Sequence, residues 1–260
     1  MNPTPTERIA VTASRLLADH GVVFAGVGTP LVASILATRL QAPHLTIVLE
    51  GGIIGTRVPT GELPISTNEM RAARGATMLT DITDVFLYAQ RGSFDHGLLG
   101  AAQIDRFGNI NTSLIGEHDH PKVRLPGSGG ANDIISLCRE ILVLTTHERR
   151  RFVDRVDFIT SPGYLEGGTS REEAGLLSGH PTRIVTDLAV LDFDPVSRHV
   201  RLRDLQPGVT VEQVQEATGF DLPVADELGA VEPPTSEELG ILRELREFVA
   251  GGSTAVQTRG

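Results

Sequence analysis

The sequence predicts an α/β fold built on a single open, mostly parallel sheet covered by helices. Helical and extended patterns alternate along the first fifty residues. The extended runs are short and apolar, as in strands buried on both faces. Turns rich in Gly and Pro fall where these elements meet. Together these features indicate parallel strands joined by crossover helices.

Residues 6–20 carry Ile9, Ala13, Leu16 and Leu17 at helical spacing, and Gly21 ends the pattern. Residues 22–27 form the first strand. Gly28-Thr29-Pro30 is a turn whose proline suits a helix start, and a second helix follows over 31–40. Residues 46–49 form the second strand. A short helix is expected over 65–74 and a strand over 85–90. Residues 98–104 and 110–114 flank Asp105-Arg106-Phe107-Gly108-Asn109, a hairpin turn with Gly and Asn where positive φ is needed. Asn109 and Asn111 fit as side chains that satisfy this turn rather than as catalysts. Residues 141–145 form another strand. The stretches 149–153 and 156–160 lead into Ser161-Pro162-Gly163, and the polar, glycine-rich stretch 166–179 is a long loop of the functional or partner-facing kind. Residues 183–193 and 199–205 resemble a strand pair about Asp194-Pro195. A helix over 209–218 enters from Pro207-Gly208 and ends at Gly219. The last helix, 233–250, follows Pro233-Pro234 and aligns Leu239, Leu242, Leu245 and Val249. With no repeat or linker, residues 1–250 read as one domain and 251–260 as a frayed tail.

Composition narrows the function classes. Hydrophobic residues make up 40 % and charged residues 22 % of 260, enough for a core without staples. With no Trp and 2 Tyr, that core is aliphatic. The net charge of −10 argues against a generic nucleic-acid surface. A small anion is still compatible, because backbone N–H groups can hold phosphates. No basic-then-apolar leader and no run of about 18 apolar residues is visible, so a cytoplasmic protein is expected. The sole cysteine, Cys138, lies in an apolar run and suits a buried, inert thiol.

Glu50 directly follows the second strand and precedes Gly51 and Gly52. Ligands of open parallel sheets bind beyond the carboxyl ends of strands, which makes Glu50 a site candidate; a solvated loop acid or helix cap is the plainer alternative. Residues 126–133, Pro-Gly-Ser-Gly-Gly-Ala-Asn-Asp, form a second glycine-rich element ahead of an expected helix at Asn132 or Asp133. Such a turn either presents free N–H groups or is simply tight. It lacks the Lys-Ser/Thr of a phosphate loop and the spacing of a dinucleotide fingerprint. His118, Asp119 and His120 have metal-ligand chemistry, but their spacing suits a polar surface loop better, and no metal is expected. His96 is a candidate general base without a recognisable nucleophile beside it.

Four segments together resemble family I coenzyme A transferases, in particular the B (beta) subunit of glutaconate CoA-transferase and related 3-oxoacid CoA-transferases. They are 48–55 (Val-Leu-Glu-Gly-Gly-Ile-Ile-Gly), 100–111, 127–133 (Gly-Ser-Gly-Gly-Ala-Asn-Asp), and 207–220. They keep the family's order and span residues 5–222. The resemblance implies that Glu50 is the nucleophile and that Gly51, Gly52, Gly127, Gly129, Gly130 and Ala131 serve the oxyanion or CoA, with Gly129 and Gly130 foremost. It implies a coenzyme A thioester as substrate, no permanently bound cofactor, and a separate A (alpha) subunit, usually in a heterotetramer of two A and two B. Leu49 and Gly51 depart from the family's usual Ser and Asn around the glutamate. The same scaffold also serves acyl-CoA hydrolases and ring-opening enzymes, and a non-catalytic partner subunit is a third reading.

Overall fold

A computed structural model describes residues 2–59 and 63–252, with side chains as far as residue 245. The chain runs α1 (Pro5–Arg15), β1 (Val22–Ala25), α2 (Thr29–Arg39), β2 (Thr46–Leu49), β3 (Ile53–Ile54), β4 (Met78–Leu79), α3 (Ile82–Gln90) and β5 (His96–Gly100). Then come β6 (Gln103–Ile104), β7 (Ile110–Asn111), β8 (Leu114–Gly116), β9 (Pro121–Arg124), α4 (Ala131–Leu137) and β10 (Glu140–Leu144). The last third holds α5 (Ser170–Glu173), β11 (His180–Val185), β12 (Ala189–Phe193), β13 (Val200–Leu205), α6 (Val211–Glu216), β14 (Val224–Ala230) and α7 (Ser236–Gly252).

Ten strands form one sheet in the order β14-β13-β12-β11-β10-β5-β1-β2-β3-β4. Its centre, β11-β10-β5-β1-β2, is entirely parallel. Antiparallel pairings extend it on both sides. The expected open, mostly parallel sheet is therefore present. The chain moves outward from β1 to β2, then returns to place β5 on the other side of β1. That reversal is a topological switch point, beside which the carboxyl ends of strands leave a crevice.

Period-2 alternation divides the core into two layers. Val23, Ala25, Ile47, Leu49, Leu142 and Leu144 face α1, α2 and α7. Phe24, Val48, Ile141 and Val143 face α3, α4 and α6. α1 starts on a capping box in which Thr4 Oγ1 accepts from Glu7 N and Thr4 N donates to Glu7.

Several expectations are corrected. Residues 85–90 are not a strand but the body of α3, because Asp81 accepts from Asp84 N at 3.0 Å and caps a helix. Val85 and Ala89, four apart, supply its buried stripe. The helix expected over 65–74 is reduced to a 3-10 turn at Met70–Ala73. The 183–193 stretch splits into the end of β11 and all of β12, where Thr186 Oγ1 accepts from Leu188 N and Ala189 N and turns the chain. The 166–179 loop contains the one-turn helix α5. α7 runs to Gly252 and takes the first two residues of the expected tail; the others lie outside the described residues, as does the side chain of Val249.

Candidate active site

Glu50 stands one residue past β2, at the carboxyl end of the parallel centre. Ile47 and Leu49 point to one face of the sheet and Val48 to the other. Alternation therefore aims Glu50 at the face of α3 and α4. The structure bears this out. A Cβ built on Gly130 would lie 3.0 Å from Glu50 Oε1 and 2.6 Å from Phe86 Cζ. The two glycine-flanked elements, 49–52 and 126–131, thus meet at the Glu50 carboxylate, which is half-buried. Among the described residues it has no hydrogen-bond or ion-pair partner.

Each glycine has its own reason. Gly130 has φ −78°, which any residue adopts; here the space is the constraint, because Phe86 and Glu50 occupy it. Gly127 and Gly129 have φ +93° and +49°, which favour glycine. Gly51 leaves room for the Asn68 side chain and the Thr67 carbonyl. Gly52, at φ +96°, lets the Thr80 carbonyl approach. These two glycines form a floor on which segments 67–68 and 80 rest.

The N–H groups divide just as clearly. Gly52 N donates to Leu49 O at 3.1 Å, Gly127 N to Thr112 O at 2.8 Å, and Ala131 N to Ser128 O at 3.0 Å. Those three are engaged. Gly129 and Gly130 N–H find no acceptor among the described residues. They sit in the turn that touches Glu50; the N–H groups of Ser128 in that turn and of Gly51 beside Glu50 likewise find no acceptor among the described residues.

Other candidates fall away from this point. His96 lies at the amino end of β5, paired with Val23 of β1, at the opposite end of the sheet from Glu50. It lines a cavity of about 510 Å³ with Asp95, Arg139 and Glu140, and burial lowers its pKa. His118 meets its exposed neighbour Asp119 and stacks on Phe158 at 5.9 Å between centroids. The group whose ligand atoms do converge among the described residues is Asp19, His20 and His44, all exposed. Cys138 is fully buried, and burial pushes its thiol up to about 12. Asn109 Oδ1 accepts from Gly163 N and Leu165 N, while its Nδ2 donates to Asp105 and Leu165. That makes it the turn-satisfying residue expected from the sequence.

Phe86, Thr67, Asn68 and Thr80 complete the surroundings and were not foreseen. Phe86 lies in the segment misread as a strand. Thr67 and Asn68 lie in the segment expected to be a helix, and Thr80 in the connection that follows it.

The family model of coenzyme A transferase matches residues 6–217. The chain belongs to the coenzyme A transferase family. It is 41 % identical over 245 residues to the B-type subunit of 3-oxoadipate CoA-transferase from Pseudomonas knackmussii, covering 94 % of each chain. It is 34 % identical to the B-type subunit of glutaconate CoA-transferase from Acidaminococcus fermentans, covering 98 % of this chain and 96 % of the other. The crystal structure of glutaconate coenzyme A-transferase from that organism superposes with a TM-score of 0.87 over 94 % of each chain, at 32 % identity. A cholesterol ring-cleaving hydrolase subunit, IpdB of Rhodococcus jostii, is 28 % identical over 93 % of this chain and 92 % of its own. The coenzyme A transferase fold, with its large mostly parallel sheet, is thus the fold of this chain.

Proposed function

We propose that this chain is the glutamate-bearing subunit of a cytoplasmic CoA-transferase acting on a dicarboxylate or 3-oxoacid pair. The observation that carries the reading is the approach of Gly130 to the Glu50 carboxylate, with the unengaged Gly129 and Gly130 N–H groups in the same turn. Glu50 attacks the thioester carbonyl of an acyl-CoA; the C–S bond breaks and CoA thiolate leaves, giving a mixed anhydride. The thiolate then attacks the Glu50 carbonyl, releases the first carboxylate and forms a glutamyl-CoA thioester. The acceptor carboxylate takes the CoA by the same steps in reverse. A carboxylate is a weak nucleophile, so positioning must supply much of the rate. Gly129 and Gly130 N–H are placed to stabilise the oxyanion of each tetrahedral intermediate.

The anhydride must be kept from water, and a second subunit covering the half-buried Glu50 would do that. Ile65, Met70, Leu79, Ile82 and Leu87 expose apolar surface on the segments that carry Asn68, Thr80 and Phe86, and these segments are the proposed seat of an A (alpha) subunit. Both transferase relatives are named as B-type subunits, which supports such a partner. The IpdB likeness supports a second reading, in which water replaces the acceptor carboxylate and free CoA accumulates.

The deciding test is mass spectrometry of the chain with its partner after incubation with acyl-CoA esters, trapping with borohydride or hydroxylamine. An adduct on Glu50 is expected. Glu50→Gln should lower turnover by on the order of 10³-fold or more with the fold intact. Near-wild-type turnover of Glu50→Gln would remove Glu50 as nucleophile. CoA release without acceptor and without adduct would favour the hydrolase.

A further inference from the structure

Arg171 is 3 % exposed. It lies at the start of the 170–179 stretch, in a loop that the sequence presents as polar surface. No carboxylate accepts from it among the described residues. All five of its N–H donors instead point at backbone carbonyls, at 2.5–2.9 Å. Nε and Nη2 donate to Gly179 O, Nη1 to Pro162 O and Gly163 O, and Nη2 also to Ile135 O. A guanidinium offers five donors in a rigid fork, and here every one is used. Full satisfaction by carbonyls is what makes burying this cation tolerable.

Ile135 belongs to α4, the helix that continues from the Gly129–Gly130 turn. α4 has seven residues, too short to hold itself by helical propensity alone. Tertiary ties therefore set its position. Asn132 Nδ2 donates to Thr160 O at 3.0 Å, and Gly179 N to Ser136 O at 3.1 Å. Arg171 is the side chain that joins α4 to both ends of the 162–179 loop. We propose that Arg171 is a positioning residue for the transfer reaction: by holding α4 at the Ile135 carbonyl, it sets where the Gly129 and Gly130 N–H groups stand relative to Glu50. The role in rate rests on the proposed transferase reading; the hold on α4 does not.

The test is Arg171→Lys in the assembled complex, with Arg171→Met as the harsher variant. Lys keeps the charge but offers three donors on one atom, and so cannot span four carbonyls. With Arg171→Lys we expect kcat to fall by about 10²-fold, because a displacement of about 1 Å in a preorganised site costs that much. KM for the acyl-CoA should change by less than about threefold, since the glycine donors act chiefly on the transition state. Hydrogen exchange should quicken at the Ile134 and Cys138 amides of α4 and stay unchanged in β10. Unaltered kcat well below the melting temperature, together with unaltered exchange in α4, would overturn the proposal. Quickened exchange with unaltered kcat would leave Arg171 a stabilising residue only, and overturn its role in the reaction. If the wild type gives no adduct on Glu50, the exchange measurement still decides whether Arg171 holds α4, separately from the chemistry.

Discussion

At the scale of single residues, the site depends on what Gly130 lacks. Its backbone would accept alanine, so in Gly130→Ala the constraint is space and not φ. The added methyl would stand 3.0 Å from Glu50 Oε1 and 2.6 Å from Phe86 Cζ. The contact with Phe86 is the tighter, so its ring, packed against Phe24 at 5.7 Å between centroids, must shift along with the Glu50 carboxylate. We expect kcat to drop about 10²-fold, with the melting temperature lowered by the overpacking but the chain still folded at assay temperature. Steady-state kinetics beside a thermal melt checks this, and a wild-type rate would mean that the Glu50 carboxylate tolerates displacement. The sequence shows Glu50 at a strand end and Gly130 in a glycine turn. It does not show that the two are neighbours, because eighty residues separate them along the chain.

At the scale of elements, the segments that follow β10, β11 and α6 are tied by one histidine. His147 is buried between the hydroxyls of Thr186 and Thr218, at 3.1 and 3.0 Å, and stacks on Phe152. Burial lowers its pKa from 6.5 to about 3. The unfolded chain takes up a proton here before the folded chain does. The stability that comes from keeping His147 neutral is therefore complete above about pH 6.5 and is lost progressively as pH falls toward 3. His96 and His180 shift the same way through burial. We expect the urea midpoint to fall between pH 7.5 and 5, and His147→Gln to flatten that dependence. An equal slope in the variant would assign the effect to other groups. Element assignment from sequence failed where signals were weak or shared. The six-residue run 85–90 fits either period, and only its packing on α4 makes it helical. β14 (Val-Ala-Asp-Glu-Leu-Gly-Ala) has little strand character and is mostly exposed; it pairs with β13 because α6 delivers the chain to that edge.

At the scale of the whole molecule, the proposed nucleophile Glu50 is half-buried within a single subunit. Ile65, Met70, Leu79, Ile82 and Leu87 are exposed on the segments that carry Asn68, Thr80 and Phe86, and among the described residues no helix is long and apolar enough to cross a membrane. Exposed apolar surface of this kind beside a site points to a protein partner. We expect the isolated chain to transfer no CoA, and co-expression with an A-type subunit to yield a hetero-oligomer by size exclusion with light scattering. Leu79→Lys should weaken that assembly and lower activity in proportion. Full activity of the isolated chain would overturn the need for a partner.

The sequence by itself determined the parallel α/β class, the place of Glu50 at a strand end and the glycine turn before α4. These are local facts, carried by period, by turn chemistry and by motifs within a few residues of one another. Only the tertiary structure decided which N–H groups remain free in that turn, that Gly51 and Gly52 make room for 67–68 and 80, that His96 lies at the wrong end of the sheet, and that Arg171 is buried. Each of these depends on segments far apart in the chain meeting in space. No local pattern records such meetings, because the carbonyls that satisfy Arg171 and the ring that crowds Gly130 are set by how the layers pack.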